Sequence, residues 1–156
     1  MLGKPENGWT LFQLGSKETA YDLSYVTDVA MDWLDQALRG LQTLDVFSVH
    51  GYCEPGRMIC TVSFWSCYVI FEDDGPAPTC HDVHHLHVSM LDFCKKLHAD
   101  LTEHLEDWIV WEGEPESDAE QSALDGRRET FRKKLDLLQA LIADHEEDFS
   151  EGSCFI

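Results

Sequence analysis

The pattern of apolar and polar positions along the chain predicts a helix followed by a run of strands. Apolar residues recur at helical spacing from 29 to 44, and Thr27 or Asp28 can cap the N-terminus of that helix. Three segments rich in β-branched and aromatic residues come next: 46–50, 57–65 and 67–72. Because short turns at 54–56 and 65–66 separate these segments, the three strands are expected to form an antiparallel meander.

The rest of the chain predicts one more strand and two more helices. A short strand is expected at 9–14. Helical spacing favours a helix over 89–107, although the alternation of apolar residues at 86–90 is also typical of a strand just before it. Ser117 and Glu120 have the spacing of a capping box for a last helix. The apolar stripe of that helix consists of Leu124, Phe131, Leu135, Leu138 and Ile142.

Helices before and after a run of strands indicate the α+β class. The expected architecture is an antiparallel β-meander packed against three helices, in a single domain over 1–156, with an acidic linker at 112–120 before the C-terminal helix. A length of 156 residues fits one domain, and a hydrophobic content of 44% with 11% aromatic residues supplies enough apolar surface for a core. The aromatic content also argues against disorder.

Features of targeting and redox chemistry point to the cytoplasm. The N-terminal segment has no apolar run of the kind a signal peptide needs, and no stretch reaches the roughly 18 apolar residues of a membrane span. The six cysteines are expected to be buried thiols, because a chain of this size and tryptophan content does not resemble a small disulfide-stapled domain. We therefore expect a cytoplasmic protein without a membrane partner.

The charge is strongly acidic and unevenly distributed. The chain has 11 Lys and Arg residues against 30 Asp and Glu residues, for a net charge of -19, which argues against nucleic acid and anionic lipid as partners. Ten carboxylates and no Lys or Arg lie between Lys96 and Arg127, and a second base-free acidic stretch follows Lys134. These stretches indicate either a solvated surface that maintains solubility or a surface that steers and docks a basic protein.

The first acidic stretch contains the predicted partner-binding site. Aromatic side chains surrounded by charge are common in protein interfaces, and two tryptophans stand directly before the acidic linker. The predicted partner-binding residues are Asp107, Trp108, Trp111, Glu112, Glu114, Glu116, Asp118 and Glu120. The alternative is that both tryptophans close the core beneath the linker.

A histidine cluster provides the alternative function, metal binding, with Zn or Ni as the candidate ion. The candidate ligands are His81, His84, His85 and His87. On a helix, the first three would share one face and could chelate a metal, whereas on a strand neighbouring residues alternate between faces. Protonation near neutral pH and exposed histidines without a specific role are competing interpretations. No other cofactor is predicted.

The sequence contains no signature of a known catalytic site. Glycine-rich phosphate loops, a nucleophile elbow and kinase signatures are all missing from the chain. We therefore predict that the protein is not an enzyme, and we assign no catalytic residue.

Two short segments carry a resemblance to known proteins. The segment 23–28, leading into the first helix, and the turn 54–56 between two strands resemble small acidic uncharacterised bacterial proteins, and among these the immunity proteins of polymorphic or contact-dependent toxin systems. The resemblance implies an α+β inhibitor that binds a toxin domain, often a basic nuclease, through an acidic surface. It assigns no individual binding residue.

Overall fold

The computed structural model describes residues 1–75 and 80–150, and for residues 80–82 the backbone alone. Residues 17–19 form a single 3-10 turn after the first strand. The elements follow one another as β1 (Trp9–Gln13), β2 (Ala20–Ser24), α1 (Val29–Thr43), β3 (Phe47–Tyr52), β4 (Arg57–Val62), β5 (Cys67–Glu72), β6 (Cys80–Leu86), α2 (Met90–Glu103), α3 (Leu105–Ile109) and α4 (Asp118–Asp144). The predicted α+β class is confirmed.

The strands form two antiparallel sheets. The predicted meander is present as β3, β4 and β5, and it is extended by β6 to a four-stranded sheet in the order β3-β4-β5-β6. The histidine-rich segment therefore adopts the strand conformation, which the sequence left open. The predicted first strand, β1, pairs with β2 in a separate hairpin. The sequence pattern did not predict β2.

The core lies against one face of the four-stranded sheet. Phe47 from this face meets Phe93 of α2 edge-on, with ring centroids 5.8 Å apart, and Tyr21 of β2 stacks on Phe71 of β5 at 5.6 Å. Helix α1 packs against β3, and α4 packs on α1, α2 and α3 as an outer layer. The helices and the hairpin thus cover the inner face of the sheet.

The N-terminal caps of two helices agree with those predicted from the sequence. The Asp28 side chain accepts a hydrogen bond from the Met31 N–H at 3.3 Å, and Ser117 accepts one from the Glu120 N–H at 3.2 Å, which confirms both predicted caps. The helix predicted over 89–107 is divided, because the backbone leaves helical geometry at His104. Four helices therefore replace the expected three.

The four cysteines whose side chains the structure describes are free thiols. Cys60, Cys67 and Cys94 are buried and Cys53 is half-buried, while the side chains of the other two cysteines lie outside the described residues. A hydrogen bond with Cys67, together with burial, raises the pKa of the Cys60 thiol, and burial raises that of Cys53 to about 11. None of the helices described is both long and apolar enough to cross a membrane.

Candidate functional site

The acidic segment between α3 and α4 is exposed. Its carboxylates Glu112, Glu114 and Glu116 all face solvent, and Gly113 between the first two has a φ of 140°, which favours glycine. Asp118 and Glu120 continue the acidic series into the first turn of α4. The positive end of the helix dipole stabilises these two carboxylates, so that the acidic segment ends on a favourable site for negative charge.

Two grooves flank this segment. One has a volume of about 610 Å³ and runs between the segment and the start of α4, where Glu120 and Leu124 line it. The other has a volume of about 460 Å³ and separates the segment from Asn7, Gly8 and Tyr25. The acidic cleft is defined as both grooves, with their lining residues Asn7, Gly8, Tyr25, Val110, Trp111, Glu112, Gly113, Glu114, Pro115, Glu116, Glu120, Ala123 and Leu124.

The carboxylates of this region have no cationic partner among the described residues. Within 1–75 and 80–150, no Lys, Arg or His nitrogen lies within 4.0 Å of the carboxylates of Glu112, Glu114, Glu116, Asp118 or Glu120. Among the described residues, the one hydrogen bond that these carboxylates accept is internal, since the Glu116 N–H donates to Glu120 Oε2 at 2.6 Å. Their negative charge is therefore presented to solvent.

The basic patch at 127–134 is neutralised within the fold. All five of its basic residues form ion pairs: Arg127 with Asp28, Arg128 with Glu106 and Asp125, Arg132 with Glu106, Lys133 with Glu129, and Lys134 with Asp35. The patch therefore does not offset the charge of the acidic cleft. The basic patch follows the acidic segment in sequence, but its ion pairs hold the cationic groups against other carboxylates of the fold.

The structure corrects the expected role of the two tryptophans. Trp108 is 0% exposed and Trp111 is 4% exposed, with ring centroids 4.9 Å apart, so the expectation that they are exposed anchors is wrong. They close the core beneath the linker, as in the alternative interpretation, and Trp111 reaches only the wall of the smaller groove. Asp107 is partly buried and lies 3.7 Å from the Lys4 ammonium, so it is already paired.

One exposed aromatic residue, Tyr25, does border the acidic cleft, and it comes from the other end of the chain. Tyr25 is 54% exposed and Val26 is 55% exposed, in the loop between β2 and α1. Tyr25 lines the smaller groove opposite Glu112 and Glu114. Tyr25 is not among the residues predicted from the sequence, because neither periodicity nor charge distinguishes an exposed tyrosine before a helix cap from a buried one.

The histidine cluster is divided by the strand geometry of β6. His84 is paired with Val69 on the inner face, whereas His85 is paired with Tyr68 on the outer face. The ring of His85 lies 4.8 Å from that of His87, and its Nε2 shares a hydrogen bond of 2.9 Å with Ser66 Oγ. Only the backbone of His81 is described. Among the described residues, no group of three or more potential ligands could hold a metal ion.

Comparison with protein-family models, with curated proteins and with solved structures finds no match to this chain. The chemistry of the acidic cleft is therefore inferred from its own residues. Unpaired carboxylates accept charge-assisted hydrogen bonds from ammonium and guanidinium groups. An exposed tyrosine beside them can stack on a guanidinium plane and supplies apolar contact area. Together these groups suit the lysine and arginine side chains of another protein.

Proposed function

We propose that this chain is a non-catalytic, cytoplasmic protein-binding module that receives a basic protein in the acidic cleft. The observation that carries the proposal is the set of five exposed carboxylates at 112–120 without a cationic partner, on a chain whose neighbouring basic patch is fully paired. Most concretely, the module is an immunity-type inhibitor of a basic toxin or nuclease domain. This form of the proposal draws on the resemblance of segments 23–28 and 54–56.

The arrangement also supplies an apolar anchor for the partner. Binding energy in protein interfaces concentrates in a few aromatic residues surrounded by polar contacts. Tyr25 meets this description, since it is exposed and lies across a groove from Glu112 and Glu114. The carboxylates would then govern the rate of association and the orientation of the partner, while Tyr25 would slow its dissociation.

A binding experiment with the neighbouring gene product tests this proposal. A toxin-like protein with a basic domain, encoded beside this chain, is purified and its association is followed by surface plasmon resonance. We expect the triple variant Glu112→Gln, Glu114→Gln, Glu116→Gln to slow association by about 10-fold or more, because electrostatic steering falls with the local charge. The variant Tyr25→Ala is expected to raise the dissociation rate by about 10-fold or more.

A matched control separates local charge from total charge. The triple variant Glu103→Gln, Asp144→Gln, Glu147→Gln removes three equally exposed carboxylates outside the acidic cleft. It should leave association nearly unchanged. Equal loss in both triple variants would show that only net charge matters and would remove the acidic cleft as the site. An unchanged affinity in the first variant would contradict the proposal directly.

A further inference from the structure

The outward face of the four-stranded sheet is exposed or half-buried at every outward position whose side chain the structure describes. Along each strand, outward residues alternate with the buried residues of the inner face. The outer face is defined by Ser48, His50, Tyr52, Arg57, Ile59, Thr61, Tyr68, Ile70, Glu72, Val83 and His85. One side of the molecule is therefore a sheet surface that faces solvent.

An apolar band spans three of the four strands of this outer face. The strand register places Ile59 beside Ile70, and Ile70 beside Val83, so that three aliphatic side chains from three strands adjoin. Val83 is 59% exposed. In the next row, Tyr68 is 40% exposed and stacks on His85, with ring centroids 4.9 Å apart. Contiguous exposed apolar surface of this kind marks interaction sites more often than scattered apolar residues do.

The outer face is also electrically neutral at its described acidic and basic positions. It has one Arg and one Glu, and these two, Arg57 and Glu72, form an ion pair of 2.7 Å at one end of the strands. No other Lys, Arg, Asp or Glu occupies an outward position of the described side chains. This neutrality stands out on a chain with 30 acidic residues and a net charge of -19.

We propose that a second copy of this chain packs on the outer face, so that two sheets meet face to face in a symmetric dimer. Two copies that approach through their acidic surfaces bring like charges together, and this repulsion opposes association. Contact through the outer face keeps the acidic clefts of the two copies apart, which reduces that cost, and joins two apolar bands. A two-fold axis makes the interface self-complementary, because each copy contributes the same patch. A basic partner, in contrast, gains no charge attraction there.

The size of the outer face predicts a weak dimer. Six residues at about 3.3 Å per residue give a length of about 20 Å, and four strands about 4.8 Å apart give a width of about 15 Å. Contact of two such faces buries well under the roughly 1,200 Å² that separates stable interfaces from transient ones. We therefore expect a transient dimer that forms only at high protein concentration.

Analytical ultracentrifugation of the full chain tests the dimer, from about 10 μM to about 1 mM protein. The average mass is expected to rise toward that of a dimer, and added NaCl should strengthen association because it screens the repulsion between copies. Tyr68→Glu and Val83→Glu should each weaken association by about 10-fold or more, since each places a charge in the joined apolar bands. Leu137→Glu, at an exposed position of α4, is the matched control and should have no effect.

Several outcomes overturn the proposal. A constant monomer mass over the whole concentration range does so, and so does equal weakening by Leu137→Glu. An effect of Val83→Glu without an effect of Tyr68→Glu would indicate pairing through the edge of β6 rather than packing of the faces. If a variant does not fold, concentration-dependent NMR shifts of the unmodified chain decide: shifts confined to the outer face support the dimer, and shifts elsewhere refute it.

Discussion

Arg127 connects three parts of the molecule through one side chain. Its guanidinium forms an ion pair with Asp28, the cap of α1, and donates a hydrogen bond of 3.0 Å to the carbonyl oxygen of Trp108. It also lines a small cavity of about 80 Å³ together with Glu112 and Gly113. The position of the acidic segment relative to α1 therefore depends on this residue, although Arg127 itself is not available to a partner.

Replacing Arg127 by alanine should destabilise the fold. The change removes the partner of Asp28 and leaves the Trp108 carbonyl oxygen without its donor in a partly buried position, for an expected loss of about 1–3 kcal/mol in the free energy of unfolding. Urea denaturation monitored by tryptophan fluorescence measures this loss.

Arg132→Ala is the matched control for that measurement. Arg132 is exposed and contacts Glu106, which keeps a second partner in Arg128. The expected change is within about 0.5 kcal/mol, as for most exposed ion pairs. Equal losses in the two variants would mean that the contacts of Arg127 across the fold stabilise the protein no more than an exposed ion pair does.

At the scale of the elements, α2 and α4 meet at a titratable contact. His98 of α2 is half-buried against α4, where it forms a hydrogen bond with the backbone of Leu135 and lies near Asp136. Burial lowers the pKa of His98 from its ordinary value of 6.5, and the hydrogen bond and Asp136 only partly oppose this shift. The packing of the two helices thus favours the neutral imidazole.

The contribution of His98 to stability is therefore expected to fall as the pH drops below 6.5. The unfolded chain takes up the proton of His98 at a higher pH than the folded chain does, so this contribution is complete above 6.5 and is lost as the pH falls toward the folded value. His98→Gln should reduce this loss between pH 7 and pH 5, as measured by thermal unfolding. His87→Gln, at an exposed position, should retain the slope of the original protein.

A slope that is the same in His98→Gln and in the original protein would contradict this assignment.

The packing of α1 on β3 accounts for an unusual residue of that helix. Gly40 lies in the last turn of that helix, and inside a helix glycine costs up to roughly 1 kcal/mol relative to alanine. A Cβ at this position would collide with the ring of Phe47, so the glycine permits α1 to lie directly on β3.

At the scale of the whole molecule, the acidic surface and the neutral surface lie in different places. The acidic cleft exposes carboxylates without cationic partners among the described residues, whereas the outer face of the sheet has a single ion pair. Because the net charge is -19, the carboxylates of the chain repel one another, and this repulsion destabilises the folded state at low ionic strength. The uneven distribution seen along the sequence thus persists on the folded surface.

Salt is therefore expected to stabilise the protein. Raising NaCl from about 0.01 M to about 0.15 M shortens the Debye length from roughly 30 Å to roughly 8 Å and reduces the repulsion between distant carboxylates. The unfolding temperature should rise by about 2–4 °C for each kcal/mol regained. Differential scanning calorimetry at low protein concentration measures the shift. A variant with Glu112, Glu114 and Glu116 changed to Gln should show a smaller rise, and a lower unfolding temperature in salt would refute the expectation.

The sequence by itself determined five of the local elements and the caps of two helices. Helical spacing located α1 and α4, and the chemistry of Asp28 and Ser117 fixed where they begin, because capping is settled within one helical turn. Their content of β-branched and aromatic residues located β3, β4 and β5, because such side chains suit a half-buried strand. The acidic segment at 112–120 was likewise evident, because charge is a property of composition.

Only the tertiary structure decided which of these residues meet. The strand state of the histidine-rich segment follows from its pairing with β5, which outweighs an ambiguous local pattern. Trp108 and Trp111 are in the core and Tyr25 borders the acidic cleft, because burial depends on packing between segments far apart in the chain. The ion pairs that neutralise the basic patch also join distant residues, as Arg127 and Asp28 show. Periodicity and composition are local properties, and contacts of this kind are not.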